Sequence, residues 1–328
     1  MIKIYPSFKE KEFVDQLPNK EDINIDNYND EVIRLAIECK CSKLDYDPDV
    51  TDGYKLIDVF FNTRELSKTK YRDETDRLIN DTKVYSNLSP LANNDNPSDV
   101  AMLIGGTLEV SNILSKYYKV AALNFADGKK PGGWPEDGCL TQEENICRCS
   151  NMYEAIISDK CIKEYYQVNM DNDNHGLCTD TVIYLPNVTV FKDDRDYHEL
   201  ESTFKYDIIT CPAPSCRFRD NDEALMVYKR RIEQIVLSAI KNNVECLVLG
   251  AWGCGAFGQD KKLIAQAFVD VLNKYSGYFK LIVFAMKNTP KWNQDRPYDV
   301  FYDAIDEKYK GVFYVEEINN LLALRNFI

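Results

Sequence analysis

Glu143 and Glu144 stand side by side where the loop PGGWPEDGCLT (131–141) ends and the apolar-periodic stretch QEENICRCSNMY (142–153) begins. Two readings fit a carboxylate pair in that place. As Thr141-Gln142-Glu143-Glu144 the residues match a capping box, in which Glu144 reaches back to the Thr141 amide and Glu143 sits favourably in the helix dipole. As neighbouring carboxyl groups beside a glycine turn, they are equally placed for proton-transfer chemistry on a ligand held by that turn.

Two strand-to-loop junctions could supply such a ligand site. In LNFADGKKPGGWPEDG (123–138), Asn124 ends an apolar run, Asp127 and Gly128 make a turn, and Gly132 and Gly133 admit close approach by having no Cβ. In LVLGAWGCGAFGQD (247–260), glycines at 250, 253, 255 and 258 precede the helical pattern KKLIAQAFVDVL. Backbone N–H groups and a helix N-terminus are expected to converge there on a phosphate. Neither loop fits the dinucleotide-binding G-x-G-x-x-G pattern or the Walker pattern, which argues against a nucleotide triphosphatase. Cys254 lies in the second loop with no histidine near it in sequence, so a thiol nucleophile is not expected. The close pairs Cys39/Cys41 and Cys147/Cys149 lack the usual zinc spacing, and His175 and His198 are the only imidazoles. No metal site is expected. Trp252 reads as an anchoring core residue.

The elements that must hold these loops are legible in outline. NDEVIRLAIECK, YKLIDVFF and YRDETDRLINDTKVY predict helices before the turn-rich NNDNPSD (93–99). From about residue 107 short β-rich runs alternate with helices: KVAALNF, VIYLP, YDIITC, VECLVLG and FKLIVFAM are the predicted strands. The helix DEALMVYKRRIEQIVLSAIKN carries Leu225, Tyr228, Ile232, Ile235, Val236, Ala239 and Ile240 as one stripe. The carboxylate helix is expected to continue as a stripe of Ile146, Cys149, Tyr153 and Ile156. Such alternation predicts an α/β layered domain.

Composition narrows the class. The 328 residues carry a formal charge of -13, which argues against a broad electrostatic grip on nucleic acid. Eleven cysteines, an odd number at irregular spacings and without a secretion signal, predict reduced thiols. No apolar run approaches the roughly 18 residues of a membrane span. A cytoplasmic protein is expected, with a nuclear location open for a eukaryotic source.

PGGW followed by QEE, together with GAWGCGAFGQD, LNFADGKKPGG, VIYLPNVTVFKDD and DIITCPAPS, resembles the poly(ADP-ribose) glycohydrolases, in particular the bacterial-type, macrodomain-like branch. The resemblance runs over roughly residues 60–328 and is strongest between 105 and 290. It implies a macrodomain-like three-layer α/β fold with a mixed central sheet; with the boundary expected at the turn-rich 93–99 segment, a helical N-terminal extension (1–100) would precede the glycohydrolase domain (101–328). It also implies hydrolysis of ribose-ribose O-glycosidic bonds in poly(ADP-ribose), without cofactor or metal. The substrate would be ADP-ribose polymer or ADP-ribosylated protein, with no nucleic acid or membrane as partner.

Carried over by position, Glu144 becomes the acid that protonates the leaving oxygen and then the base that activates water, while Glu143 positions the ribose. Asn124 and Asp127 would face the distal ribose, Gly132, Gly133 and Gln142 would complete that side, and Gly253, Cys254, Gly255, Ala256 and Phe257 would wrap the diphosphate. The branch carries three glycines where this chain has Gly132, Gly133 and Trp134, and a position that demanded positive φ or close contact with the ligand would exclude tryptophan. Asp127 stands where relatives often have Asn or Ser. Intact glutamates therefore favour a hydrolase, whereas Trp134 and Asp127 favour a catalytically silent ADP-ribose reader. A helical adaptor that merely retains the α/β domain would bind no ADP-ribose at all.

Overall fold

The computed structural model describes residues 53–94, 98–172, 175–215, 218, 220–286, 297–306 and 313–315. The helix expected over 29–40, with Cys39 and Cys41, lies outside these residues. Helices α1 (Gly53–Lys68) and α2 (Arg72–Asp81) lead into strand β1 (Lys83–Tyr85), then β2 (Asp99–Ile104), α3 (Thr107–Leu114) and β3 (Val120–Ala126). After the first glycine loop come α4 (Gln142–Cys149), α5 (Met152–Ile156) and a helical run α6 (159–171), whose middle, Ile162–Tyr166, is wound as π-helix. The chain continues through β4 (Val182–Lys192), β5 (Glu199–Pro212), α7 (Asn221–Lys241), β6 (Cys246–Leu249), α8 (Lys261–Tyr275), β7 (Leu281–Met286), α9 (Pro297–Asp306) and β8 (Phe313–Val315).

The strands form one eight-stranded mixed sheet in the order β1-β4-β5-β3-β6-β7-β2-β8. β1, β4 and β5 pair antiparallel, and every pairing from β5 to β8 is parallel. The apolar runs CLVL and LIVFAM are buried throughout, as strands covered on both faces must be. Alternate strand residues feed two cores. Leu123, Leu247 and Phe284 join Ile232, Phe268 and Phe301 of α7, α8 and α9 on one face. Ala122, Val248 and Val283 join Leu56, Leu78, Ile146 and Met152 of α1, α2, α4 and α5 on the other. This is the expected three-layer arrangement.

Three local expectations are corrected. KVY at 83–85 is the edge strand β1, not the tail of a helix. DVAMLI forms β2 immediately after the turn-rich segment, earlier than the first expected strand: its backbone pairs with β7 and β8 while Val100 and Met102 enter one core and Ala101 and Leu103 the other. The carboxylate helix breaks after Cys149: Ser150 is extended and bridges Val190, while Asn151 exchanges bonds with Thr189 through its own amide (3.2 Å) and its side-chain oxygen (2.9 Å). A side chain that offers the backbone an alternative partner ends the helix there. Among the described residues no helix is long and apolar enough to cross a membrane.

Candidate active site

Both glutamates open α4 directly above the end of β3, and both are buried, at 1% and 4% exposure. Glu143 accepts a hydrogen bond at each oxygen, from Asn124 Nδ2 (3.0 Å) and from the Asp127 amide (2.7 Å). Asn124 also reaches Thr210 Oγ1 of β5 at 3.3 Å, and its buried Oδ1 has no partner among the described residues. Glu144 accepts from the Trp134 amide at 3.0 Å, and Thr141 Oγ1 donates to its other oxygen. Thr141 is the N-cap residue but makes no side-chain bond to the helix backbone. The capping box is thus not formed. The T-x-x-E spacing is present, but its side chains bond each other and the first glycine loop.

That loop is shaped around the pair. Gly132 and Gly133 have φ of +74° and +69°, a region that disfavours any residue with a Cβ. A Cβ on Gly133 would press into the Glu144 carboxylate, and one on Gly132 would lie 2.8 Å from the Tyr153 ring. Trp134, by contrast, has φ of -126°, so its backbone does not require glycine, and its ring is 49% exposed. Asp127 holds the turn by accepting from the amides of Lys129 (2.8 Å) and Lys130 (2.9 Å). Replacing Gly133 with Ala should lower the unfolding midpoint and impair turnover, at about 1–3 kcal/mol for the strained backbone alone. An unchanged midpoint would show that Glu144 can move aside.

Gln142 uses its carboxamide inside the protein. Its Oε1 accepts from the Phe125 amide (2.7 Å), and its Nε2 donates to Leu123 O and Thr107 Oγ1 (2.9 Å each). β3 pairs with β6 only over Val120–Ala122. Gln142 takes over the edge groups that β6 no longer reaches, and so fixes the start of α4 onto the strand. Gln142, expected as a ligand contact, is a positioning side chain in this arrangement.

Other supports escaped the sequence reading. Arg148 is fully buried, donating to the carbonyls of Leu56 (3.2 Å), Pro135 (3.3 Å) and Cys139 (2.6 Å), which ties α1 and the loop to α4. Asn169 of α6 donates to Gly128 O at 2.9 Å. An arginine amid cysteines in ICRCS was a signal for the first; the second had none, because its partner is remote in sequence.

The second loop runs from β6 to α8. Trp252 is buried, and its Nε1 donates to Cys211 O (2.9 Å) at the end of β5, as expected of an anchor. Gly253 has φ of +76° and packs against Ala213, whereas a Cβ on Gly255 would meet nothing within 4 Å. Gly255 and Ala256 are exposed and Phe257 is half-buried. The helix N-terminus is not open as expected: Asp260 caps α8, accepting from the amides of Lys262 (2.8 Å) and Leu263 (3.1 Å). Any anion at this loop must be met by loop amides. Burial pushes the Cys254 thiol up to about 12, which removes it as a thiolate near neutral pH. Among the described residues no group of three or more His, Cys, Asp or Glu side chains could hold a metal ion.

Burial also pushes the Glu143 carboxyl well above its ordinary value of 4.5; the bonds from Asp127 and Asn124 oppose this and the neighbouring Glu144 adds to it. A carboxyl whose pKa rises on folding contributes stability that is fully present below its unfolded value and is lost as pH climbs through the folded one. The stability of Glu143→Gln relative to the native protein should therefore rise with pH from about 4.5 upward. Parallel thermal melts across pH test this, and a constant difference would contradict it.

Residues 55–193 match the family model of the microbial-type PARG catalytic domain. The structure is similar to that of poly(ADP-ribose) glycohydrolase from Thermomonospora curvata, at 25% identity and a TM-score of 0.68, covering 76% of this chain and 99% of the other. The same enzyme bound to the inhibitor ADP-HPD gives a TM-score of 0.66 over the same coverage at 25% identity. The Deinococcus radiodurans enzyme in complex with ADP-ribose is 26% identical, with a TM-score of 0.63 over 71% of this chain and 97% of that one. Among curated proteins none matches.

Proposed function

We propose that this chain is a poly(ADP-ribose) glycohydrolase, which hydrolyses the ribose-ribose O-glycosidic bonds of ADP-ribose polymer and releases ADP-ribose. The observation that carries the reading is the buried glutamate pair whose carboxyl oxygens are held by strand and loop rather than by a helix cap. A site built this way holds two carboxyl groups rigidly beside a turn that offers backbone alone. Nothing in the matched family favours a silent reader, and the backbone of Trp134 does not require glycine.

In this reading Glu144 gives its carboxyl proton to the oxygen that leaves C1″ of the distal ribose. The resulting carboxylate then takes a proton from the water that attacks the same carbon, which restores the acid. Glu143, locked by Asn124 and the Asp127 amide, accepts hydrogen bonds from ribose hydroxyls, and the orphan Asn124 Oδ1 offers a further acceptor beside it. Gly132 and Gly133 let the sugar approach. The amides of Gly255, Ala256 and Phe257 face the diphosphate, with Gly253 and Cys254 shaping the loop and Phe257 lending a ring to ribose or adenine.

The proposed glycohydrolase domain, expected over 101–328, takes in α1, α2 and β1 as well, since these pack into the same core and sheet. ADP-ribosylated proteins are the wider substrate class, nucleic acid is not a direct partner, and the location is cytoplasmic. Incubation with polymer in excess EDTA should still release ADP-ribose. Loss of release in EDTA, restored by Mg²⁺ or Zn²⁺, would replace the purely carboxylate mechanism with a metal-assisted one.

A further inference from the structure

Trp134 presents a half-exposed indole one residue beyond the backbone turn that flanks Glu144, and its own amide bonds that carboxylate. The Lys130 ammonium lies 3.1 Å from the ring centroid and covers one face. Lys130 is in turn paired with Glu136 at 2.6 Å, whose other oxygen is buried without a partner among the described residues. With one face taken by the ammonium, the exposed part of the ring is its opposite face and rim.

The direction of this platform follows from the bonds around the pair. Glu143 is tied to β3, and the second loop packs into the core on the α7–α8 side through Trp252 and Cys254. Glu144 is tied to Trp134 and Thr141, in the loop that Arg148 joins to α1 on the opposite side of the sheet. Trp134 therefore lies beyond the acid, away from the proposed diphosphate loop.

We infer that Trp134 and Lys130 form a subsite for the leaving unit of the polymer, Trp134 stacking the adenine of the next ADP-ribose and Lys130 facing its phosphates. The inference rests on the proposed function, since only a ribose-ribose bond places an adenosine on the leaving side. An exposed aromatic face is suited to a base of any orientation, and such stacking is worth roughly 5- to 160-fold in affinity per base.

The test uses Glu144→Gln protein, which retains ligand without cleaving it, and compares the affinities of an ADP-ribose dimer and of ADP-ribose itself. The dimer should bind about 10-fold or more tightly, and indole fluorescence should respond to the dimer more than to the monomer. Adding Trp134→Ala should reduce the dimer-over-monomer ratio about 10-fold, Trp134→Phe should largely restore it, and Lys130→Gln should lower its salt dependence. The monomer's affinity in each variant is the reference for a folded site. A ratio unaffected by Trp134→Ala overturns the inference and leaves the proposed function standing. Failure of native protein to bind either ligand overturns both.

Discussion

Glu144→Gln should lower the rate of ADP-ribose release by on the order of 10² to 10⁴ while shifting stability by no more than about 1 kcal/mol. The stability forecast comes from the bonds: the Gln oxygen can keep the Trp134 amide, and its NH₂ can donate to the Thr141 hydroxyl once that hydroxyl turns. Only the transferable proton is lost. Glu143→Gln differs in kind, because both Glu143 oxygens accept from N–H groups and an amide NH₂ must face one of them. It should cost more stability, about 1–3 kcal/mol, along with ribose positioning. If the Glu144→Gln protein releases product near the native rate, Glu144 serves structure alone.

Gly255→Trp should abolish the thermal stabilisation that ADP-ribose gives the native protein. That stabilisation is about 2.7 kcal/mol at a ligand concentration 100 times Kd for a ligand that binds only the folded state. A Cβ at 255 meets nothing within 4 Å, so an indole can be placed on the second loop without disturbing the core. The variant should melt like the native protein in the absence of ligand, and adding ADP-ribose should leave its midpoint unmoved. A full ligand shift in the variant would place the binding loop elsewhere.

The sequence carried the parts of this fold that are local. Apolar strands running into glycine loops at 123–138 and 247–260 were legible because both the strand and the turn write themselves into neighbouring residues. What the site's side chains bond was not legible. T-x-x-E has the spacing of a capping box, yet whether Thr141 turns to the helix backbone or to Glu144 depends on a loop ten residues earlier that delivers the Trp134 amide. Gln142 was expected beside the ribose, whereas its carboxamide is bonded to β3 at the point where pairing with β6 stops. Asp260 reads as one more loop residue until its bonds to the first turn of α8 are seen. Half of the concern raised by Trp134 was a statement about φ, and φ is a property of the folded turn.

ADP-ribose polymer incubated with the native protein, with free ADP-ribose and remaining chain length followed over time, tests the central claim most directly. Shortening chains and accumulating ADP-ribose are the predicted result. Polymer that stays intact in the presence of protein that still binds ADP-ribose would contradict it, and would make the buried glutamate pair part of a reader.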